Sequence, residues 1–229
     1  IKEVKMPGLD GKKKARLFIL KHKNPKQGGR KLFSETYEGI DFQDESWEEK
    51  NLTGVIFSGC RFHGVVMTGM TTQNCQFVDC DFSFARLEGS RHLRTAFLNC
   101  RFYGASLFGA ELVECKGTGS SFSGAVLTGL TICEGNYMFS VWDRASLQKM
   151  NLHGCNFEGA NFAGADLEKA DLSGCNLRQA VVQDANLKEA DLRGAKIEGV
   201  DLKSARMKRT KIDLEQAVLL AESLGAVLE

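Results

Sequence analysis

Every fifth residue from Tyr37 to Ile212 is large and apolar, with three interruptions. The series begins Tyr37, Phe42, Trp47, Leu52, Phe57, Phe62, Met67 and reaches Leu202, Met207 and Ile212 without a change of register. Of its 36 positions, 33 are apolar or aromatic; Thr72, His92 and Gly117 are not. At the chain's overall hydrophobic content of 43%, chance would supply only about fifteen. The residue two positions earlier is small: 29 of 36 are Ala, Cys, Ser, Thr, Val or Gly. Two positions later glycine dominates, with 17 of the 24 glycines placed there. Asn or Asp often precedes the large residue, as at Asn151, Asn156, Asn161, Asp166 and Asp171.

A period of five matches neither the 3.6 of an α-helix nor the 2.0 of a strand. One small and one large inward residue in five, followed by a turn-permissive residue, describes a chain that turns a corner every five residues. Four corners close a square coil of 20. Thirty-six pentapeptides make about nine coils, and at about 4.8 Å per coil the rod is roughly 43 Å long.

Sorting the large positions by 20 supports the square. One face collects Phe42, Phe62, Phe82, Phe102, Phe122, Trp142 and Phe162. The preceding face collects Tyr37, Phe57, Phe77, Phe97, Tyr137 and Phe157. The other two are mostly aliphatic, with Leu87, Leu107 and Leu127 on one and Leu112, Ile132 and Leu152 on the other. Like side chains then stack in ladders, which favours one register.

Stretches such as Ala160-Asn161-Phe162-Ala163-Gly164 and Ala165-Asp166-Leu167-Glu168-Lys169 resemble the A(D/N)LXX motif of pentapeptide-repeat proteins. The resemblance covers residues 35–212. It implies an all-β fold, a right-handed quadrilateral β-helix; the non-repeat ends are expected to close it as an N-terminal β cap and a C-terminal helix. The hand comes from the resemblance.

Three regions follow. Residues 1–34 depart from the period and carry eleven Lys and Arg up to Lys31 against Glu3 and Asp10, about +9. The remainder has 19 basic and 27 acidic residues, about −8. Val4 to Met6 and Ala15 to Lys21 flank Pro7-Gly8-Leu9-Asp10-Gly11 and read as strand, turn, strand. An open β-helix end exposes unpaired backbone, so this basic arm is expected to be a cap, with a binding arm for nucleic acid or an acidic partner as the alternative. The start at Ile1 reads as that of an excised or processed piece. Residues 213–229 form the third region. Asp213 and Gln216 make a capping-box pattern, and Leu214, Val218, Ala221 and Leu224 follow helical spacing before Gly225. This run resembles the C-terminal element of the quinolone-resistance pentapeptide proteins, where the helix caps the rod and forms a dimer. Leu214, Val218 and Ala221 are expected to cover the last coil, leaving Leu220 and Leu224 for a second subunit.

The sequence offers little chemistry. Seven of eight cysteines, Cys60, Cys75, Cys80, Cys100, Cys115, Cys155 and Cys175, take the small inward position in place of Ala, where a free thiol acts as a small hydrophobe. Only Cys133 is expected to face out. Their spacing lacks the paired close ligands of a zinc site. His92 takes an inward position, and His63 and His153 are expected outside. No Ser/His/Asp arrangement is visible. No catalytic, cofactor or metal site is expected, and the chain is read as not an enzyme.

A rod without a pocket acts through its surface. Apolar residues at outward positions include Val78, Leu98, Tyr103, Phe108 and Met138, with Phe84 and Phe139 at corners and Arg91 and Arg94 in neighbouring coils. These nine are the expected partner surface. Two readings compete. The resemblance implies a non-catalytic protein that binds DNA gyrase and protects it against its poisons, in the cytoplasm. The non-repeat arm favours the interaction or targeting domain of a secreted bacterial effector, acting on a protein in a host cytoplasm. Neither requires direct nucleic-acid binding or a membrane span.

Overall fold

In the computed structural model, residues 35–43 and 45–227 are described. The expected N-terminal cap lies outside them. Four faces of five residues follow one another around each coil. Face 1 begins at residue 35, face 2 at 40, face 3 at 45 and face 4 at 50, and each recurs every 20 residues.

On face 1 lie strands β1 (Thr36–Glu38), β3 (Ile56–Ser58), β5 (Gln76–Val78) and β7 (Ala96–Leu98). On face 4 lie β2 (Asn51–Thr53), β4 (Thr71–Gln73) and β6 (Arg91–Leu93). Strands β8 (Glu111–Lys116) and β9 (Thr131–Asn136) run through the corner from face 4 to face 1. All pairing is parallel, and each residue faces the one 20 positions on, as in Tyr37 with Phe57 and Phe77 with Phe97. Faces 2 and 3 carry isolated backbone bridges in the same register, such as Asp41 with Arg61 and Ser46 with Val66. That register continues to the bridge of Asp191 with Lys211. The fold is therefore a parallel β-solenoid with one helix among the described residues, α1 (Leu214–Ser223).

The sorted ladders form. On face 2, Phe62, Phe82, Phe102 and Phe122 stack with ring centroids 4.8–5.0 Å apart, the spacing of hydrogen-bonded strands. Trp142 continues the stack at 4.1 Å from Phe122. Face 1 stacks Phe57, Phe77 and Phe97 at 4.9 and 5.1 Å. Rings of adjoining faces meet edge to face, as Phe77 and Phe82 do at 5.3 Å, the arrangement the ring quadrupole prefers. Cysteine and alanine at the small position fill the space between, and seven cysteines are buried and free. Burial pushes the Cys175 and Cys155 thiols up to about 12, which leaves them unreactive. Cys133 is exposed.

The C-terminal closure differs in detail from the expected one. Asp213 is the N-cap: its carboxylate accepts from the Gln216 N–H at 3.0 Å, and its own N–H donates to Gln216 Oε1 at 3.1 Å. Gln216 is buried, and its Nε2 donates to the carbonyls of Leu192 and, at 2.8 Å, Ala195. Leu219 and Leu220 pack against the core. Leu214, expected on that face, is 82% exposed. The α1 face turned to the rod is thus set by Gln216, because the Ala195 carbonyl lacks the backbone donor that a further coil would supply, as Lys196 N–H does for Cys175.

Candidate partner-binding surface

From Tyr37 to Ile197 the described residue two beyond each large side chain turns the corner in the left-handed region, with φ between 47° and 77°. Glycine takes this conformation freely, whereas a side chain costs about 1–2 kcal/mol. Two such corners carry phenylalanine: Phe84 at φ 59° and Phe139 at φ 57°. Both are also more than half exposed. Each ring rests on the glycine one coil on. A Cβ at Gly104 or Gly159 would stand 2.6 Å from the ring of Phe84 or Phe139. Tyr103 lies on Gly124 in the same way, at 3.1 Å.

Phe84 and Tyr103 meet edge to face at 5.6 Å, and His63 meets Phe84 at 5.3 Å. Together they border a shallow open groove of about 560 Å³ on face 2. Ser83, only 6% exposed, forms part of its floor. A ladder of Asp41, Arg61, Asp81, Arg101 and Ser121 runs beside it. Arg61 reaches Asp41 at 3.6 Å. Asp81 accepts from the Ser83 N–H at 3.0 Å and from its hydroxyl at 2.5 Å, and faces His63 at 3.9 Å. Burial pushes the Asp81 carboxyl up, but the Ser83 bonds, Arg101 and His63 outweigh it and hold it below its ordinary value.

The nine expected surface residues divide among four faces. Val78, Leu98 and Met138 belong to face 1 and are half-buried, with Phe139 at the corner. Phe84 and Tyr103 share face 2 and touch. Phe108 stands on face 3, 56% exposed. Arg91 and Arg94 stand on face 4, paired with Glu111 at 3.1 Å and Glu114 at 3.8 Å. Of the five helix residues, Leu220 packs on the core, Val218 and Ala221 are half-buried, and Leu214 and Leu224 are exposed. Of the groove residues, Arg61 and Arg101 share the coils of the expected apolar patch, whereas His63 and Ser83 are not among the residues expected at a site. Their signal is legible only when the sequence is folded at 20, which sets Arg61, Asp81 and Arg101 in one column and His63, Ser83 and Tyr103 in the next.

The buried polar groups serve the core. His92 Nδ1 lies 2.7 Å from the Thr72 hydroxyl, and Nε2 lies 3.0 Å from that of Ser90. Thr72 also meets Thr95 at 2.8 Å. Burial lowers the His92 pKa to about 4, so the ring is neutral at neutral pH. Among the described residues no cluster of His, Cys, Asp and Glu has the form of a metal site. Among them, too, no helix is long and apolar enough to cross a membrane.

Residues 75–116, 143–179 and 170–209 match the family profile described as pentapeptide repeats, in eight copies. Among solved structures, the chain is similar to a trypsin-treated variant of QnrB1, a plasmid-mediated fluoroquinolone resistance protein. The identity is 23%, the match covers 85% of this chain and 97% of that one, and the TM-score is 0.54. Full-length QnrB1 matches at 21% identity over 83% and 97% of the two chains, with a TM-score of 0.50. HetL, a pentapeptide repeat protein involved in heterocyst differentiation regulation from the cyanobacterium Nostoc sp. strain PCC 7120, matches at 21% over 77% and 90%, with a TM-score of 0.44. No curated protein sequence matches the chain.

Proposed function

We propose that this chain, whose residues 75–116 and 143–209 match the pentapeptide-repeat profile, works as a non-catalytic rod that binds a protein through its outer faces. The observation that carries this reading is the set of four aromatic side chains, Phe84, Tyr103, Phe108 and Phe139, each 51–57% exposed on a stacked scaffold. Exposed aromatics on a rigid frame cost solubility and contribute nothing to the core, and such residues are enriched at binding hot spots. The interior supports the same reading, since aromatic and aliphatic ladders fill it and His92 is spent on Thr72 and Ser90.

The proposed partner is DNA gyrase, with protection against fluoroquinolones as the consequence. The acidic body, about −8 beyond the basic arm, suits a surface that takes the place of DNA. The α1 closure suits a dimer joined end to end through Leu214, Leu224 and Val227, all exposed. Eight free cysteines suit a reducing compartment such as the cytoplasm. Purified gyrase tests the reading: the intact chain is expected to bind it and raise the fluoroquinolone concentration that half-inhibits supercoiling. Absence of both effects removes gyrase as the partner. The second reading, an effector's interaction or targeting domain, rests on the basic non-repeat segment of residues 1–34. Binding to a host-cell protein in place of gyrase would select it.

A further inference from the structure

We propose that the face-2 groove beside Arg101 docks an acidic segment of the partner protein, an Asp or Glu next to an apolar or aromatic residue. This rests on the protein-binding reading above and adds where contact is made and with what chemistry. The groove combines two features. One wall is aromatic, with Phe84 and Tyr103 held edge to face at 5.6 Å over Gly104 and Gly124. The other is cationic. Asp81 is satisfied by Ser83, and Arg61 leans to Asp41. Arg101 acts on Asp81 only through its nearby charge; among the described residues it makes no ion pair or side-chain hydrogen bond, and its exposed guanidinium can meet an incoming carboxylate, the planar match that arginine makes best.

Phe84 gives the strongest sign of selection for binding. A left-handed corner is strained for Phe, and glycine or asparagine fills it without that strain. Here the strained residue is also the exposed one, at 51%, so neither backbone nor core explains it. Sixteen non-glycine residues take this corner along the rod; what sets Phe84 and Phe139 apart is that the side chain so placed is a large, exposed aromatic ring. The rings need not reorganise on binding, which reduces the entropic cost of docking.

Charge selects a protein segment over a nucleic acid. Arg61 is paired with Asp41 and Asp81 lines the groove, so Arg101 is the one local cation left without an ion pair among the described residues, on a body of about −8. A duplex is held by many phosphates along its length, which this body repels beyond Arg101. One or two carboxylates beside an apolar side chain fit both walls.

The test is a displayed library of short random peptides panned on the intact chain, with Arg101→Glu as the counter-selection. Selected peptides are expected to carry Asp or Glu beside Phe, Tyr or Leu. By fluorescence anisotropy they should bind about tenfold or more weakly to Arg101→Glu and to Phe84→Asn. Phe84→Asn relieves the corner strain, so it should melt at or above the parent temperature while losing binding. Arg178→Glu, on face 1 of a distant coil, should bind as the parent does. A selection without Arg101-dependent acidic sequences overturns the proposal, as does a short DNA duplex that binds the same groove more tightly than the selected peptides. Failure of gyrase protection with peptide binding intact would remove only the gyrase reading.

Discussion

The three residues that break the period of five are each answered from a neighbouring coil. Thr72 and His92 occupy successive coils of face 4 and bond to each other at 2.7 Å. Gly117 is filled by the ring of Tyr137, 20 residues on, and a Cβ at Gly117 would stand 2.4 Å from it. His92 is neutral in the fold down to about pH 4, against an ordinary value of 6.5. The unfolded chain takes up the proton first, so this contribution is complete above pH 6.5 and is lost as pH falls from 6.5 toward 4. The urea midpoint should drop across that window, and the double variant Thr72→Val, His92→Leu should flatten the drop. An equal slope in both proteins would contradict it. The Tyr137 hydroxyl is buried and has no hydrogen-bond partner among the described residues, and such a group costs about 1–3 kcal/mol. Tyr137→Phe should therefore leave the melting temperature unchanged or raised, whereas Gly117→Ala should lower it by displacing the ring.

At the scale of the coil, stability resides in ladders that the spacing of 20 alone makes legible. Phe102 stands between Phe82 and Phe122 at 5.0 and 4.8 Å. Phe102→Ala should cost about 3–5 kcal/mol, and the outward Gln73→Ala under about 0.5 kcal/mol. Similar denaturation midpoints for the two would refute the inward and outward assignment. The α1 cap was less legible. Helical spacing named Leu214 as a covering residue, yet the last coil's need is for donors, and Gln216 supplies them to Leu192 and Ala195. Gln216→Leu fills a similar space but strands the Ala195 carbonyl, while that of Leu192 keeps the Ala195 N–H at 2.9 Å, so a loss of about 1–3 kcal/mol is expected. Asp213→Ala should cost about 1 kcal/mol through the cap. Chemical denaturation of both variants checks the pair, and a Gln216→Leu protein as stable as its parent would return the cap to hydrophobic cover alone.

For the whole molecule, the repeat leaves every coil the same height and sends variety to the surface and the ends. The exposed Leu214, Leu224 and Val227 stand where the solenoid stops. Two such ends joined about a two-fold axis bury both sets at once. Sedimentation at tens of micromolar is expected to give a dimer for the intact chain and a monomer for Leu224→Asp. A monomeric parent would reduce α1 to a cap.

The period of five by itself determined the path of the backbone, the inward residues, the aromatic faces and the burial of seven cysteines. It could do so because each inward position repeats a local environment, so the pattern is read from neighbours in sequence. The surface had to wait for the fold. Neighbours there are 20 residues apart and belong to different columns, so Val78, Phe84, Phe108 and Arg91, close in the chain, part to four faces. Arg61, His63, Phe84 and Arg101, distant in the chain, line one groove. Only stacking of coils decides which outward side chains meet, and only there does the ring of Phe84 come to lie on Gly104, beside Tyr103.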